Sequence, residues 1–215
     1  LHYPLRRQRQ MCIRDSLRPT AAICDPELTL GLPPVLTAGA GMDALTHCIE
    51  AVLSPVIDPP AEAVGLDGIE KVVREESLIR AVKDGQDKDA RWNMMMASTE
   101  GAMAFSKGLG AVHSMSHAIG ADQDLRLHHG TLNGVILPTI LRFNRDHVGD
   151  KYERIARAMG KKENVDLADE IADVMWVLIC IANQTGVDLT DALKKNIDKK
   201  NSRDSRRHLD NKKLR

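Results

Sequence analysis

The chain has 215 residues, enough for one domain or two small ones, with 43% hydrophobic and 28% charged residues, as in soluble globular proteins. Aromatics make up only 3%, so the apolar content is Ala, Leu, Ile, Val and Met, a mixture suited to helix packed on helix. Thirty Lys and Arg balance thirty Asp and Glu, which removes any electrostatic case for nucleic acid or a membrane surface as a partner.

Residues 1–16, LHYPLRRQRQMCIRDS, show no apolar periodicity, and MCIRDS resembles a translated sequencing-library adapter. This segment is set apart from the fold as an artefact. DPELTLGLPP (25–34) reads as a loop because of its closing prolines. Gly39-Ala40-Gly41 leads into MDALTHCIEAVLS, an amphipathic helix stopped by Pro55. Pro59-Pro60 stands where a helix can start, and AEAVGLDGIEKVVREESLIRAVKDG continues as one helix to a Lys-Asp-Gly stop.

DARWNMMMASTEGAMAFSKG reads as another helix, its methionines core filler. HHGTLNGVILPTILRFN is a helix with a kink expected at Pro138. DKYERIARAMG is a short amphipathic helix ending at Gly160. Strand-type alternation is nearly absent after residue 37, so the expected fold class is all-α. The longest apolar run, 174–182, is too short to span a bilayer. From Lys194 to Arg215 the chain is strongly basic, a solvated tail. Cys12, Cys24, Cys48 and Cys180 form no CxxC pair, which predicts free thiols in a reducing compartment, the cytoplasm.

Four of the eight histidines fall between residues 111 and 130, in AVHSMSHAIGADQDLRLHHG. His113 and His117 are spaced i, i+4, one helical turn apart on one face. Asp43 and His47 in DALTH share that spacing, and His128 and His129 open a third helix. One carboxylate with several imidazoles is a donor set for Zn²⁺ or non-haem Fe²⁺. HSMSH lies among small and apolar residues, where imidazoles buried without a role leave polar groups to satisfy. Spacing alone leaves open which histidines are ligands.

DPELTLGLPPVLTAGAGMDALTHCIEAVLS, GAMAFSKGLGAVHSMSHAIG and LHHGTLNGVILPTILRFN, taken in order, resemble the iron-containing (group III) alcohol dehydrogenase family over about residues 17–160. The resemblance implies an all-helical, bundle-like metal-binding domain over 17–165, with Fe²⁺ or Zn²⁺ held by Asp43, His47, His113 and His129. It places His117 beside the nicotinamide as a proton-relay histidine and gives His128 no role. The text before HHG is longer than the family's, which leaves His128 as an alternative fourth ligand. A small alcohol or aldehyde as substrate, NAD(P) and a homo-oligomer are implied for the full-length protein only, with no nucleic acid or membrane partner. GAGMD (39–43) is no dinucleotide fingerprint, since the third glycine and a preceding strand are missing. The nicotinamide site belongs to a preceding α/β domain, and without it this fragment is expected to bind metal but not to turn over an alcohol.

Residues 166–215 resemble instead the C-terminal part of MazG-like nucleotide pyrophosphohydrolases, with a seam in DLADEIADV (166–174). Glu170 and Asp173 fit that family's ExxD pair, but Glu75-Glu76 lacks the third carboxylate of the partner helix. The alternatives to a dehydrogenase fragment are therefore a triphosphate pyrophosphohydrolase fragment, or an inactive chimeric helical protein with exposed apolar surface.

Overall fold

The computed structural model describes residues 21–121 and 127–161, and these residues are helical, with no strand among them. A 3-10 turn, Pro26–Thr29, precedes α1 (Pro34–Leu53), followed by α2 (Pro59–Ile69), α3 (Ser77–Lys83) and α4 (Lys88–Ala104). Then come α5 (Ala111–Gly120), α6 (His129–Asn144) and α7 (Lys151–Ala158). The all-α expectation for the body holds. No helix among the described residues is long and apolar enough to cross a membrane.

α1 is the hub. Ala38, Met42, Leu45, Ile49 and Val52 are buried along one face, and Ala44, Thr46, Glu50 and Ala51 on the flanks beyond it, so that only the side bearing Ala40, Asp43 and His47 stays open. It packs against α2, α3, α4, α6 and α7. α1 begins at Pro34, well before the start expected after Gly39-Ala40-Gly41. Proline needs no amide partner in a first turn, and the glycines persist inside the helix because neighbours come too close for side chains. A Cβ on Gly130 of α6 would lie 1.9 Å from the Gly39 carbonyl oxygen, so α1 and α6 cross backbone against backbone. A Cβ on Gly41 would meet Leu78 at 2.2 Å.

The helix expected to run unbroken from residue 61 to 85 is two. Glu70–Arg74 forms a π-helical turn after α2, and Glu76 takes a left-handed conformation with φ 53°. Glu75 accepts a hydrogen bond from Asn93 Nδ2 at 2.5 Å. The tertiary contact across to α4 sits at the break, which no glycine or proline announces. Helix α6 runs on through Pro138, which is buried.

Caps set the other boundaries. Asp58 accepts from the Ala61 amide at 3.2 Å, and Asp87 from that of Ala90 at 2.9 Å. Arg80 holds Asp87 with two hydrogen bonds, at 3.0 and 3.1 Å. Buried Arg91 donates to the carbonyls of Leu32 and Gly85 and to Thr37 Oγ1, fastening the loop before α1 onto α4. Of the methionine run on α4, Met94 packs on the core while Met94 and Met95 line an open pocket beside Thr37 and Arg91. The methionines are thus only in part core filler. At the far end, Glu62 joins buried Lys107 and also Arg154, tying α2, the turn after α4 and α7 together.

Cys24 and Cys48 are free thiols. Burial, with the Glu100 carboxylate nearby, pushes the Cys48 thiol up to about 12, so it is inert. Burial and the adjacent Asp67 also lift Glu100 to about 7, against the pull of Lys71 at 3.2 Å. A carboxyl raised above its unfolded value of about 4.3 contributes stability that is complete below that pH and is lost as pH rises through about 7. Glu100→Gln should therefore gain stability relative to the parent between about pH 5 and about pH 8. Urea melts at both ends of that range check this, and a constant difference would refute it.

Candidate metal centre

Asp43 and His47 project one turn apart from the middle of α1, at the crossing with α6. His113 lies in the first turn of α5, and His129 is the first residue of α6. These elements bring three imidazoles to one carboxylate oxygen. Asp43 Oδ1 lies 3.9 Å from His47 Nδ1, 3.4 Å from His113 Nε2 and 3.2 Å from His129 Nε2. Asp43, His47 and His113 offer donor atoms that all lie within 4.8 Å of one another.

The tautomers follow from the outer partners. His113 Nδ1 is 2.7 Å from Glu50 Oε2, and a carboxylate only accepts, so that nitrogen carries the proton. His129 Nδ1 lies 3.2 Å from Ser116 Oγ. Both Nε2 atoms are then free to turn lone pairs inward. Asn133 agrees with this: its amide Nδ2 donates to Asp43 Oδ1 at 2.6 Å and lies 3.3 and 3.2 Å from the Nε2 atoms of His113 and His129. An N–H group faces those nitrogens favourably only when they are acceptors.

Charge accumulates with the same logic. Burial works against the Asp43 carboxylate, but the imidazoles of His113 and His129, which carry a proton toward it when charged, outweigh it and hold its pKa far below the usual range. Burial also opposes the His113 cation, yet its bonds to Asp43 and Glu50 raise its pKa. His47 and His117 shift the other way, lowered chiefly by burial and then by neighbouring imidazoles. The result is an acceptor-rich cluster with a fixed negative charge at its centre.

The residues fit a divalent cation. Four donors about 2.1 Å from a tetrahedral ion lie about 3.4 Å apart, and the separations from Asp43 Oδ1 bracket that value. Asn133 Oδ1, buried beside the cluster, has no hydrogen-bond partner, the kind of orphan that marks a place built around something more than side chains.

The other sequence candidates fall differently. His117 is exposed, and its ring lies against that of His129 at 4.5 Å between centroids, tilted by 38°. Of the HSMSH pair only His113 is buried, so the expectation that both imidazoles would be enclosed does not hold for His117. His128 is exposed and its ring covers Gly39, with Nδ1 2.5 Å from where a Cβ would stand. Glu50, Ser116 and Asn133 were not singled out by sequence reasoning. Two had a signal: Glu50 continues the Asp43, His47 face of α1 by one more turn, and Asn133 stands four residues after His129. Glu170 and Asp173 lie outside the described residues, while Glu75 and Glu76 sit at the break before α3.

A family model described as the C-terminal part of Fe-containing alcohol dehydrogenases matches residues 37–199. That match runs through 166–174, where a seam was expected. Among curated proteins, the 4-hydroxybutyrate dehydrogenase of Cupriavidus necator is 52% identical over 165 residues, covering 74% of this chain and 43% of that enzyme. The iron-containing alcohol dehydrogenase of Thermococcus thioreducens superposes with a TM-score of 0.69 at 32% identity, covering 77% of this chain and 43% of that one. The sulfoacetaldehyde reductase of Bifidobacterium kashiwanohense, solved with NAD⁺, gives a TM-score of 0.70 at 30% identity, covering 76% and 43%. The chain thus spans less than half the length of each of these proteins.

Proposed function

We propose that this chain, which belongs to the iron-containing alcohol dehydrogenase family as its C-terminal domain, is the metal-holding half of an NAD(P)-linked alcohol dehydrogenase or aldehyde reductase. The observation that carries the reading is the convergence of His47, His113 and His129 on one oxygen of Asp43. These four residues hold Fe²⁺ or Zn²⁺, which supplies Lewis-acid polarisation of the substrate oxygen when bound. The chain's own contribution is a donor set fixed in advance: Asp43 brings the charge, while Glu50 and Ser116 keep the Nδ1 side of His113 and His129 occupied. The Phe105 ring, 5.7 Å from that of His47, adds an apolar wall on that side.

His117 is the proton-relay residue of this reading. It is exposed to solvent, lies against His129, and has a lowered pKa, so at neutral pH it is an uncharged imidazole able to take a proton. The hydride carrier NAD(P), small alcohol or aldehyde substrates, and assembly as a homo-oligomer belong to the longer protein. Its dinucleotide domain is the partner that completes the site. The free thiols at Cys24 and Cys48 suit a cytoplasmic setting.

One equivalent of Fe²⁺ or Zn²⁺ should remain bound after anaerobic loading and removal of excess ion, read by elemental analysis; a chain that retains none overturns the reading. Affinity should also fall as pH falls, because a bound cation must displace the proton of His113 Nε2. Since the His113 pKa is raised, the weakening should set in above the ordinary imidazole value of ~6.5, which titration with a competing chelator across pH will show.

A further inference from the structure

We propose that Glu50 is a positioning residue that decides which nitrogen of His113 carries the proton, and so keeps Nε2 open toward the metal site. The proposal rests on the metal reading above for its consequence, but its geometry stands by itself. Helix α5 starts after Gly110, which has no side chain to cap the helix. The orphan amides at the second and third helical positions, those a capping side chain normally takes, are Val112 and His113. Both are satisfied by Glu50 from α1: Val112 N donates to Oε1 at 2.8 Å and His113 N to Oε2 at 3.3 Å. The same Oε2 accepts from His113 Nδ1 at 2.7 Å.

One buried carboxylate therefore caps the start of α5 and orients the ring at the same time. A carboxylate has no proton to give at neutral pH, so it selects the Nδ1–H tautomer and leaves the Nε2 lone pair toward Asp43. Glu50 follows Asp43 by seven residues on α1, so the helix that carries two candidate ligands also sets the third. Gly110 is what admits it: a Cβ there would lie 2.6 Å from Glu50 Oε1.

A purely structural helix cap makes a different forecast from a positioning carboxylate, and Glu50→Gln separates them. The glutamine is nearly isosteric, and its oxygen can still accept from Val112 N. Its NH₂ group would then face His113 Nδ1, forcing that nitrogen to accept and placing a proton on Nε2, where the metal would bind. Turning the amide over restores His113 but sets NH₂ against the Val112 amide. Either way one buried donor loses its partner.

The test is a competitive chelator titration of the full chain with Fe²⁺ or Zn²⁺, with long-range ¹H–¹⁵N NMR of the histidines before metal is added, above the imidazole titration range. Glu50→Gln should bind about 10- to 100-fold more weakly than the parent, and His113 of the parent should show Nδ1–H, changing to Nε2–H in the variant. Equal affinity in parent and variant, or Nε2–H in the parent, overturns the role of Glu50. A parent that binds no metal but shows Nδ1–H defeats the metal reading and leaves the positioning intact. Where the variant does not fold, the parent spectrum still tests the tautomer: Nδ1–H supports the role of Glu50 and Nε2–H overturns it.

Discussion

Alanine at Asp43 or at His129 is expected to lower Fe²⁺ or Zn²⁺ affinity by more than about 100-fold, the upper end of what loss of an outer-shell partner costs. Alanine at His128 should leave it within about twofold, as for other surface changes. The contrast follows from the α6 start. His129 turns Nε2 toward Asp43 Oδ1 at 3.2 Å, with Ser116 behind Nδ1. His128, one residue earlier, is exposed and covers Gly39. Adjacent residues at a helix start point about 100° apart, so one cannot take the other's place without unwinding the turn. Chelator titration of the three variants, with circular dichroism to establish folding, checks the pattern. Loss at His128 with retention at His129 would reverse the ligand assignment.

How much of this could be read from the residues depends on whether the contact is local. Asp43 and His47 announce themselves because i, i+4 spacing converts directly into a shared helix face. Their meeting with His113 and His129 is a tertiary event between residues 66 to 86 positions apart in sequence, legible through order and resemblance rather than spacing. Glu50 shows the limit well. As a Glu on a buried helix it reads as an oddity, and its purpose depends on where α5 begins, which depends in turn on Gly110. Asn133 is similar: the i+4 relation to His129 is visible, but its other two partners, Asp43 and His113, come from α1 and α5. The break at Glu76 was missed because a left-handed glutamate carries no composition signal; the Glu75 to Asn93 contact sits beside it. The early start of α1 is not legible because glycines ordinarily punctuate helices, whereas here they permit a close crossing.

That crossing supports the second large effect. Gly130→Ala should cost about 3 kcal/mol or more in stability, at the top of the range for overpacking, because its Cβ would stand 1.9 Å from the Gly39 carbonyl oxygen and 3.2 Å from Asp43 Cβ. The obstruction is backbone, so no rotamer change relieves it; α1 and α6 must move apart. The same separation carries Asp43 away from His129, so packing and metal binding should fail together. The two losses can be resolved by linkage. A ligand that binds only the folded state stabilises it by RT ln(1 + [L]/Kd), about 4 kcal/mol at a thousand times Kd. Urea melts of Gly130→Ala without metal measure the packing cost alone. At fixed free metal, each tenfold loss of affinity adds about 1.4 kcal/mol to the difference from the parent. A deficit that grows when metal is added places the cation at the α1–α6 crossing. An equal deficit in both conditions would mean that the ion is held elsewhere, and the assignment of Asp43 and His129 would fall with it.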